Sequence, residues 1–166
     1  MLLALMMLMQ TVTDEDVSAP TPRGFVSAYN AEQGGMRIEE RVPKGETVDR
    51  WTRMITVQRM RGGAQVGGPA LLAKLSSLFS QSCLGSIASP VATAGDSASI
   101  RIDCPLNQET GKPETMFARA FTGMSDLLLV QYAFRSVPTP AQANEAQSYL
   151  ATVVRCGGTA PACVVP

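Results

Sequence analysis

Alternation of apolar and polar residues predicts six β-strands in this chain. Within residues 36–42, Met36, Ile38, Glu40 and Val42 share one side, and arginine and glutamate alternate on the other. A period of two is the signature of a strand, because successive side chains project to opposite faces of a sheet. The alternating charges predict a solvated sheet face. The six predicted strands are 25–30, 36–42, 52–60, 97–104, 115–122 and 126–137.

Two other segments have the period of a helix. Pro69 can begin the first one, since proline at the first helical position sacrifices no hydrogen bond, and Gly85 can end it. We assign the apolar stripe of this helix to core packing. The stripe consists of Leu71, Leu72, Leu75, Leu78, Phe79 and Cys83. The last helix begins with a capping box of Thr139 and Gln142. Its predicted buried residues are Ala143, Ala146, Leu150 and Val153.

The order of these elements is β-β-β-α-β-β-β-α. Runs of antiparallel strands that each end in a helix predict an α+β domain, with a sheet of about six strands and two main helices. A length of 166 residues suits one domain. We expect residues 1–22 to be a signal-like or disordered N-terminal segment, and residues 23–166 to be a single α+β domain stabilised by disulfides.

The stretch GETVDRWTRMITVQRM, residues 45–60, contains the only tryptophan and combines both periods. Thr47 is a suitable N-cap, so residues 47–51 predict at most a turn of helix. The β-branched residues from Thr52 onward favour a strand. Trp51 lies at the junction, where we expect its ring to fill the core and its indole N–H to donate to a backbone acceptor.

Composition removes several classes of function. Fourteen basic and fourteen acidic residues cancel, so we expect no nucleic-acid partner. The chain has no histidine, which excludes Ser-His-Asp and Cys-His catalysis and histidine-based metal sites. The glycine-rich stretch RGGAQVGGPALLAK does not fit a phosphate loop, because Gly68 occupies the lysine position and Lys74 lies inside the helix. We expect no cofactor and no metal.

Four cysteines indicate an oxidising compartment. Cys83 ends a predicted helix and Cys104 ends a predicted strand, while Cys156 and Cys163 enclose the short loop GGTAPA. Of three possible connectivities, we favour Cys83 with Cys104 and Cys156 with Cys163. A zinc site would normally use paired C-x(2–4)-C spacings, which are absent. Four reduced, buried thiols are the plainer alternative.

The N-terminal segment is similar to a secretory signal. Its apolar run, residues 2–9, is too short for a bilayer, which needs about 20 residues, but it fits the core of an export signal. No basic residue precedes the run, and Pro20 is a poor residue after the candidate cleavage site at Ala19. A buried N-terminal helix or strand is the alternative. We expect a periplasmic or secreted location and no stable transmembrane span.

Two sets of side chains are candidates for function. Arginines on the predicted strands would form a cationic groove for an anionic or carboxylate ligand if several shared a sheet face. These candidates are Arg53, Arg59, Arg101, Arg119 and Arg135. The alternative is that they lie outside and pair across strands. The second set could supply the acid and base of a hydrolase, although nothing in the sequence brings two of them together. Its members are Glu46, Asp103, Glu114 and Asp126.

Several motifs resemble those of a family of uncharacterised exported proteobacterial proteins. They are a G-E-T-x-x-x-W-T-x-M-x-T-x-Q run at residues 45–58, a C-P pair at Cys104, a G-K-P-E turn at residues 111–114, and a final helix with cysteines at its end. The resemblance implies export and disulfides, and no known activity. The element order is also similar to domains of the Mog1/PsbP/DcrB type, which implies an antiparallel sheet flanked by helices.

These features together predict an exported, non-enzymatic binding or interaction module. The expected partner is an unknown protein or a small anionic ligand. The alternatives are a small hydrolase that uses a carboxylate pair and a structural envelope protein.

Overall fold

A computed structural model describes residues 14–163 of the chain. The apolar run predicted as an export signal lies outside that range. The elements in chain order are β1 (Asp16–Ser18), β2 (Phe25–Gln33), β3 (Met36–Pro43), β4 (Arg53–Met60), α1 (Gly68–Ser82), β5 (Ile87–Ala88), β6 (Ala92–Ala94), β7 (Ser97–Asn107), β8 (Lys112–Thr122), β9 (Leu127–Phe134), α2 (Pro140–Thr152) and β10 (Val154–Cys156).

One antiparallel sheet organises the described residues. Its strand order is β2-β3-β4-β9-β8-β7-β5, and β6 also pairs with β7. The predicted α+β class with two helices is confirmed. The sheet has eight strands and not six, because β5 and β6 are too short to produce a visible alternation. A separate ribbon consists of β1 and β10.

Two local predictions are wrong. The strands predicted at 97–104 and 115–122 are longer than expected, since β7 continues to Asn107 and β8 begins at Lys112. The register shifts between Cys104 and Asn107, and such an irregularity tolerates the proline at position 105. Residues 47–51 contain no helical turn. Instead, Thr47 and Arg50 exchange two backbone hydrogen bonds of 3.1 Å, which close a bend.

Each face of the sheet carries one helix. On the face that we call the α1 face, α1 packs over β7, β8 and β9. Its core includes Leu72 and Ile102. Leu78, predicted to be buried, is instead 48% exposed. The opposite face, the α2 face, holds α2 over β8 and β9, with Tyr132 and Leu150 in its core. The predicted capping box of α2 is present.

Two disulfides connect these layers. The Cys83–Cys104 bridge joins the C-terminal end of α1 to β7, with 5.8 Å between the Cα atoms. The Cys156–Cys163 bridge closes the short loop after β10. Both pairings are the ones that the sequence favoured. The first ties helix to sheet, and the second fixes the chain beyond the terminal ribbon.

Residues 14–19 pack on the α2 face, although the sequence suggests a signal-like or disordered segment there. Asp16, Val17 and Ser18 of β1 pair with β10. Glu15 is 2% exposed, and its carboxylate accepts hydrogen bonds of 2.7–2.9 Å from three backbone N–H groups of the turn between β8 and β9. Arg155 of β10 completes the site at 3.1 Å. One carboxylate therefore connects the N-terminal strand, a hairpin turn and the C-terminal strand.

The same segment explains the charged side of β3. Arg37 forms an ion pair with Asp16, and Arg41 donates to the carbonyl oxygen of Ala19 at 2.6 Å. Arg41 also pairs with Glu39 at 2.8 Å and is buried. The expectation of a solvated charged face is therefore wrong here, because these side chains hold the N-terminal segment on the sheet.

We predict that Glu15→Gln destabilises the protein by about 3 kcal/mol at neutral pH. Burial alone would raise the pKa of Glu15, but the hydrogen bonds from the turn lower it from 4.5 to about 2. A depressed folded-state pKa stabilises the fold above about pH 4.5, and this contribution is lost as the pH falls toward 2. Urea unfolding of the wild type and the variant should show a difference that shrinks over this window.

Glu109→Gln is the matched control, because it makes the same chemical change at an exposed side chain. A constant difference between wild type and Glu15→Gln at all pH values would contradict the assignment.

Candidate functional site

A groove of functional interest lies between α2 and the segment that contains β5 and β6. Its volume is about 480 Å³, within the range of small-molecule sites. The floor is formed by β7 and β8, including Ser99 and Phe117, and one wall by Gln147, Leu150 and Ala151 of α2. The opposite wall is the segment 89–94, which is rich in alanine, serine and threonine.

Two of the five candidate arginines meet in this groove. Arg101 stacks its guanidinium over the ring of Phe117, 5.1 Å from the centroid. Its Nε and Nη2 atoms donate to the two carboxylate oxygens of Asp103 at 2.8 Å. Among the described residues no hydrogen-bond partner of its Nη1 atom is found, and the side chain is 40% exposed. Arg101 therefore keeps donor capacity toward the groove.

Arg119 has a structural role beside the groove. Its Nη1 atom donates to the carbonyl oxygens of Leu150 and Val153, at 2.9 and 3.3 Å, at the C-terminal end of α2. Its Nη2 atom donates to the Oγ atom of Ser97 at 3.2 Å. A cation at this end of a helix is favourable, because the terminal carbonyls lack partners within the helix. Arg119 thus fixes the α2 wall and adds positive charge to the groove.

The other two arginines of this face lie away from the groove. Arg53 pairs with Glu145 of α2 at 3.1 Å and lies over the ring of Phe25. Arg59 is buried beneath the N-terminal segment, where it contacts the carbonyl oxygen of Glu15 at 3.4 Å. Both side chains hold structural elements together, so the five arginines do not form one cationic surface.

Arg135 belongs to a second cavity, also of about 480 Å³, at the bend that contains Trp51. The guanidinium lies 4.0 Å from the centroid of the tryptophan ring and donates to the carbonyl oxygen of Asp49 at 3.0 Å. Trp51 is 9% exposed and packs in the α1-face core, as expected. The expected bond from its indole N–H to a backbone acceptor is not found among residues 14–163. The guanidinium of Arg135 covers the face of the ring instead.

The four carboxylates proposed for hydrolysis have separate structural surroundings. Asp103 lies opposite Thr115 and Glu114 lies opposite Cys104, so the two acids project to opposite faces of the sheet. Glu46 accepts from the N–H and the hydroxyl of Thr52. Asp126 is buried in the turn between β8 and β9, where it accepts from Gly62 at 3.0 Å. Burial raises the pKa of Glu114, which lines neither the second cavity nor the groove.

Sequence reasoning missed one wall of the groove, the segment that contains β5 and β6. Segment 87–94, IASPVATA, contains two strands of two and three residues, too short to reveal a period. Its small residues were the only available signal, because they allow the backbone to approach β7 and leave space above the floor. Within residues 14–163, no cluster of three metal-ligating side chains occurs, and no helix is long and apolar enough to cross a membrane.

The architecture is the Mog1-like α+β fold. Over 82% of this chain and 83% of the matched chain, the fold is similar to the Ran-binding protein Mog1p of Saccharomyces cerevisiae, with 12% identity and a TM-score of 0.50. A mutant of protein Mog1 matches with the same identity and TM-score, over 84% of its chain. No protein-family model and no curated protein sequence matches. At this identity the likeness shows the fold alone.

We predict that Trp51→Ala lowers the stability by about 3–5 kcal/mol, because a large buried ring is lost from the core. Chemical unfolding of purified variants measures this loss, and Trp51→Phe, which keeps an aromatic ring, should lose less. A loss near zero would instead make the ring and Arg135 ligand contacts of the second cavity.

Proposed function

We propose that this protein is an exported, non-enzymatic binding module whose groove beside α2 takes a small ligand with a carboxylate and an apolar body. The observation that carries this proposal is the juxtaposition of Arg101 and Arg119 with the apolar wall of α2. The name of the similar yeast protein, a Ran-binding protein, is consistent with an interaction role for this fold. It does not identify the partner of this chain.

The chemistry of the groove favours a carboxylate over other ligand groups. The unpaired Nη1 atom of Arg101 can donate to one carboxylate oxygen, and the exposed hydroxyl of Ser99 lies on the same strand face. Phe117, Leu150 and Ala151 offer apolar surface to the rest of the ligand. Asp103 already balances one positive charge, so a ligand with a single negative charge fits better than a phosphate.

The same surroundings argue against the hydrolase alternative. Glycoside hydrolysis needs two carboxyl groups within about 5–10 Å across a common cleft. Asp103 is the only member of the proposed set near the groove, and it is engaged by Arg101 and by the hydroxyl of Thr115 at 2.9 Å. Both oxygens of Asp103 are therefore already occupied by protein donors.

Titration calorimetry with octanoate and octan-1-ol tests the groove. We expect octanoate to bind, and Arg101→Gln to weaken it by about ten-fold, which corresponds to one charge-assisted hydrogen bond. Octan-1-ol, which lacks the carboxylate, should bind weakly to the wild type and to Arg101→Gln. Arg23→Gln, at an exposed residue outside the groove, is the matched control. Equal affinity of the wild type for octanoate and octan-1-ol, or equal octanoate affinity of the wild type and Arg101→Gln, would refute the carboxylate site.

Export forms the second part of the proposal. The two disulfides and the motif resemblance to exported proteobacterial proteins support it. The packing of β1 supports a domain boundary earlier than the one expected from the sequence: cleavage after Ala19 would remove Glu15 and leave Arg155 without that partner. We therefore propose that the exported domain begins no later than Asp14.

Protein isolated from the native host should contain no free thiol and should begin at or before Asp14. Thiol counting under denaturing conditions and N-terminal sequencing measure these two properties separately. Four free thiols would contradict export. A mature chain that begins at Pro20 would contradict the proposed boundary and leave export intact.

A further inference from the structure

The α1 face extends beyond its helix. In the described chain, α1 packs over β7, β8 and β9, whereas β2 and β3 continue the same face toward the free edge of the sheet. Val26, Tyr29 and Met36 on this part are 40%, 46% and 48% exposed. These three side chains project from the same face of two adjacent strands. We call this region, together with Ile38 and Glu40, the edge face.

A row of polar side chains crosses the edge face. The register pairs Tyr29 with Glu40, Glu40 with Thr56, and Thr56 with Gln131, so the four residues lie side by side on four adjacent strands. Among residues 14–163, no hydrogen bond or ion pair is found for the carboxylate of Glu40 or for the side chains of Thr56 and Gln131. Thr56 is only 8% exposed.

On the opposite face of the sheet, the charged side chains of β3 are paired. Behind the same strands, Arg37, Glu39 and Arg41 are all paired, either with one another or with the N-terminal segment. Glu40, between two of these residues in sequence, projects to the other side and forms no ion pair among residues 14–163. Burial raises the pKa of Glu40, with no opposing interaction. Within the described chain, the carboxylate of Glu40 therefore makes no interaction that stabilises the fold.

We propose that the edge face is a docking surface for a segment of a partner protein that presents one arginine or lysine between apolar side chains. The cation pairs with Glu40, the apolar neighbours cover Val26, Met36 and Ile38, and the polar row supplies further hydrogen bonds. Charge complementarity selects this occupant, because Glu40 is the only charged residue that the register places on this side of β2 and β3.

A partner surface of this kind extends the proposed interaction role to a site separate from the groove. The groove lies at the β7 side of the sheet, whereas β2 is its opposite edge. Octanoate binding and occupation of the edge face can therefore fail independently of each other.

Selection from a random linear peptide library displayed on phage tests the edge face directly. Wild-type protein should enrich peptides with one basic residue flanked by apolar residues, and Glu40→Gln should lose this preference. Glu32→Gln is the matched control, because Glu32 lies on the same strand pair but, opposite Arg37, on the other face. In the best synthetic peptide, replacing the basic residue with norleucine should weaken binding to wild type by about ten-fold and to Glu40→Gln by less than about two-fold.

Amide chemical-shift mapping with that peptide locates its site. Shifts confined to β2, β3 and β4 support the proposal. Enriched peptides without a basic residue, an unchanged selection by Glu40→Gln, or shifts at the groove would overturn it. A concentration-dependent dimer of the wild type that Glu40→Arg dissociates would also overturn it, since the occupant would then be a second copy of this chain.

Discussion

The buried carboxylate of Glu15 is the interaction on which the arrangement of the chain ends depends. It accepts from the turn between β8 and β9 and pairs with Arg155, so it joins parts of the chain that are more than a hundred residues apart. An unpaired charge at this depth would be strongly unfavourable, and only the complete set of donors makes the site stable. The surrounding backbone has no spare room, since a Cβ at Gly157 would collide with the carbonyl oxygen of Asp14.

The two faces of the sheet consequently have different characters. The α2 face is covered by α2, the β1–β10 ribbon and paired arginines, and its groove at Arg101 keeps donor capacity. On the α1 face, α1 and the Cys83–Cys104 bridge cover the part over β7, β8 and β9. Toward β2 this face ends in side chains such as Glu40 and Tyr29 that the described chain does not satisfy. Binding functions are therefore best sought at one groove and one sheet edge, on opposite faces of the molecule.

Long periodic elements could be predicted from the sequence, and so could the disulfides, because Cys83 and Cys104 end elements that had to meet. The N-terminal strand could not be predicted: β1 has three residues, and its stability comes from distant partners such as Arg155 and not from its own pattern. The arginines show the same limit. Their positions on strands could be predicted. Whether a guanidinium donates to the end of a helix, as Arg119 does, or keeps a free donor, as Arg101 does, depends on tertiary neighbours.

The antiparallel register of the terminal ribbon has a mechanical consequence. Asp16 lies opposite Cys156, and Ser18 lies opposite Val154, so the chain enters and leaves the ribbon at the same end. Tension applied to the chain before Asp16 and after Cys156 would break these strand pairs one after another, and would not shear them all at once. Glu15, which precedes the ribbon and is held by the turn between β8 and β9, would take up the load before these pairs open.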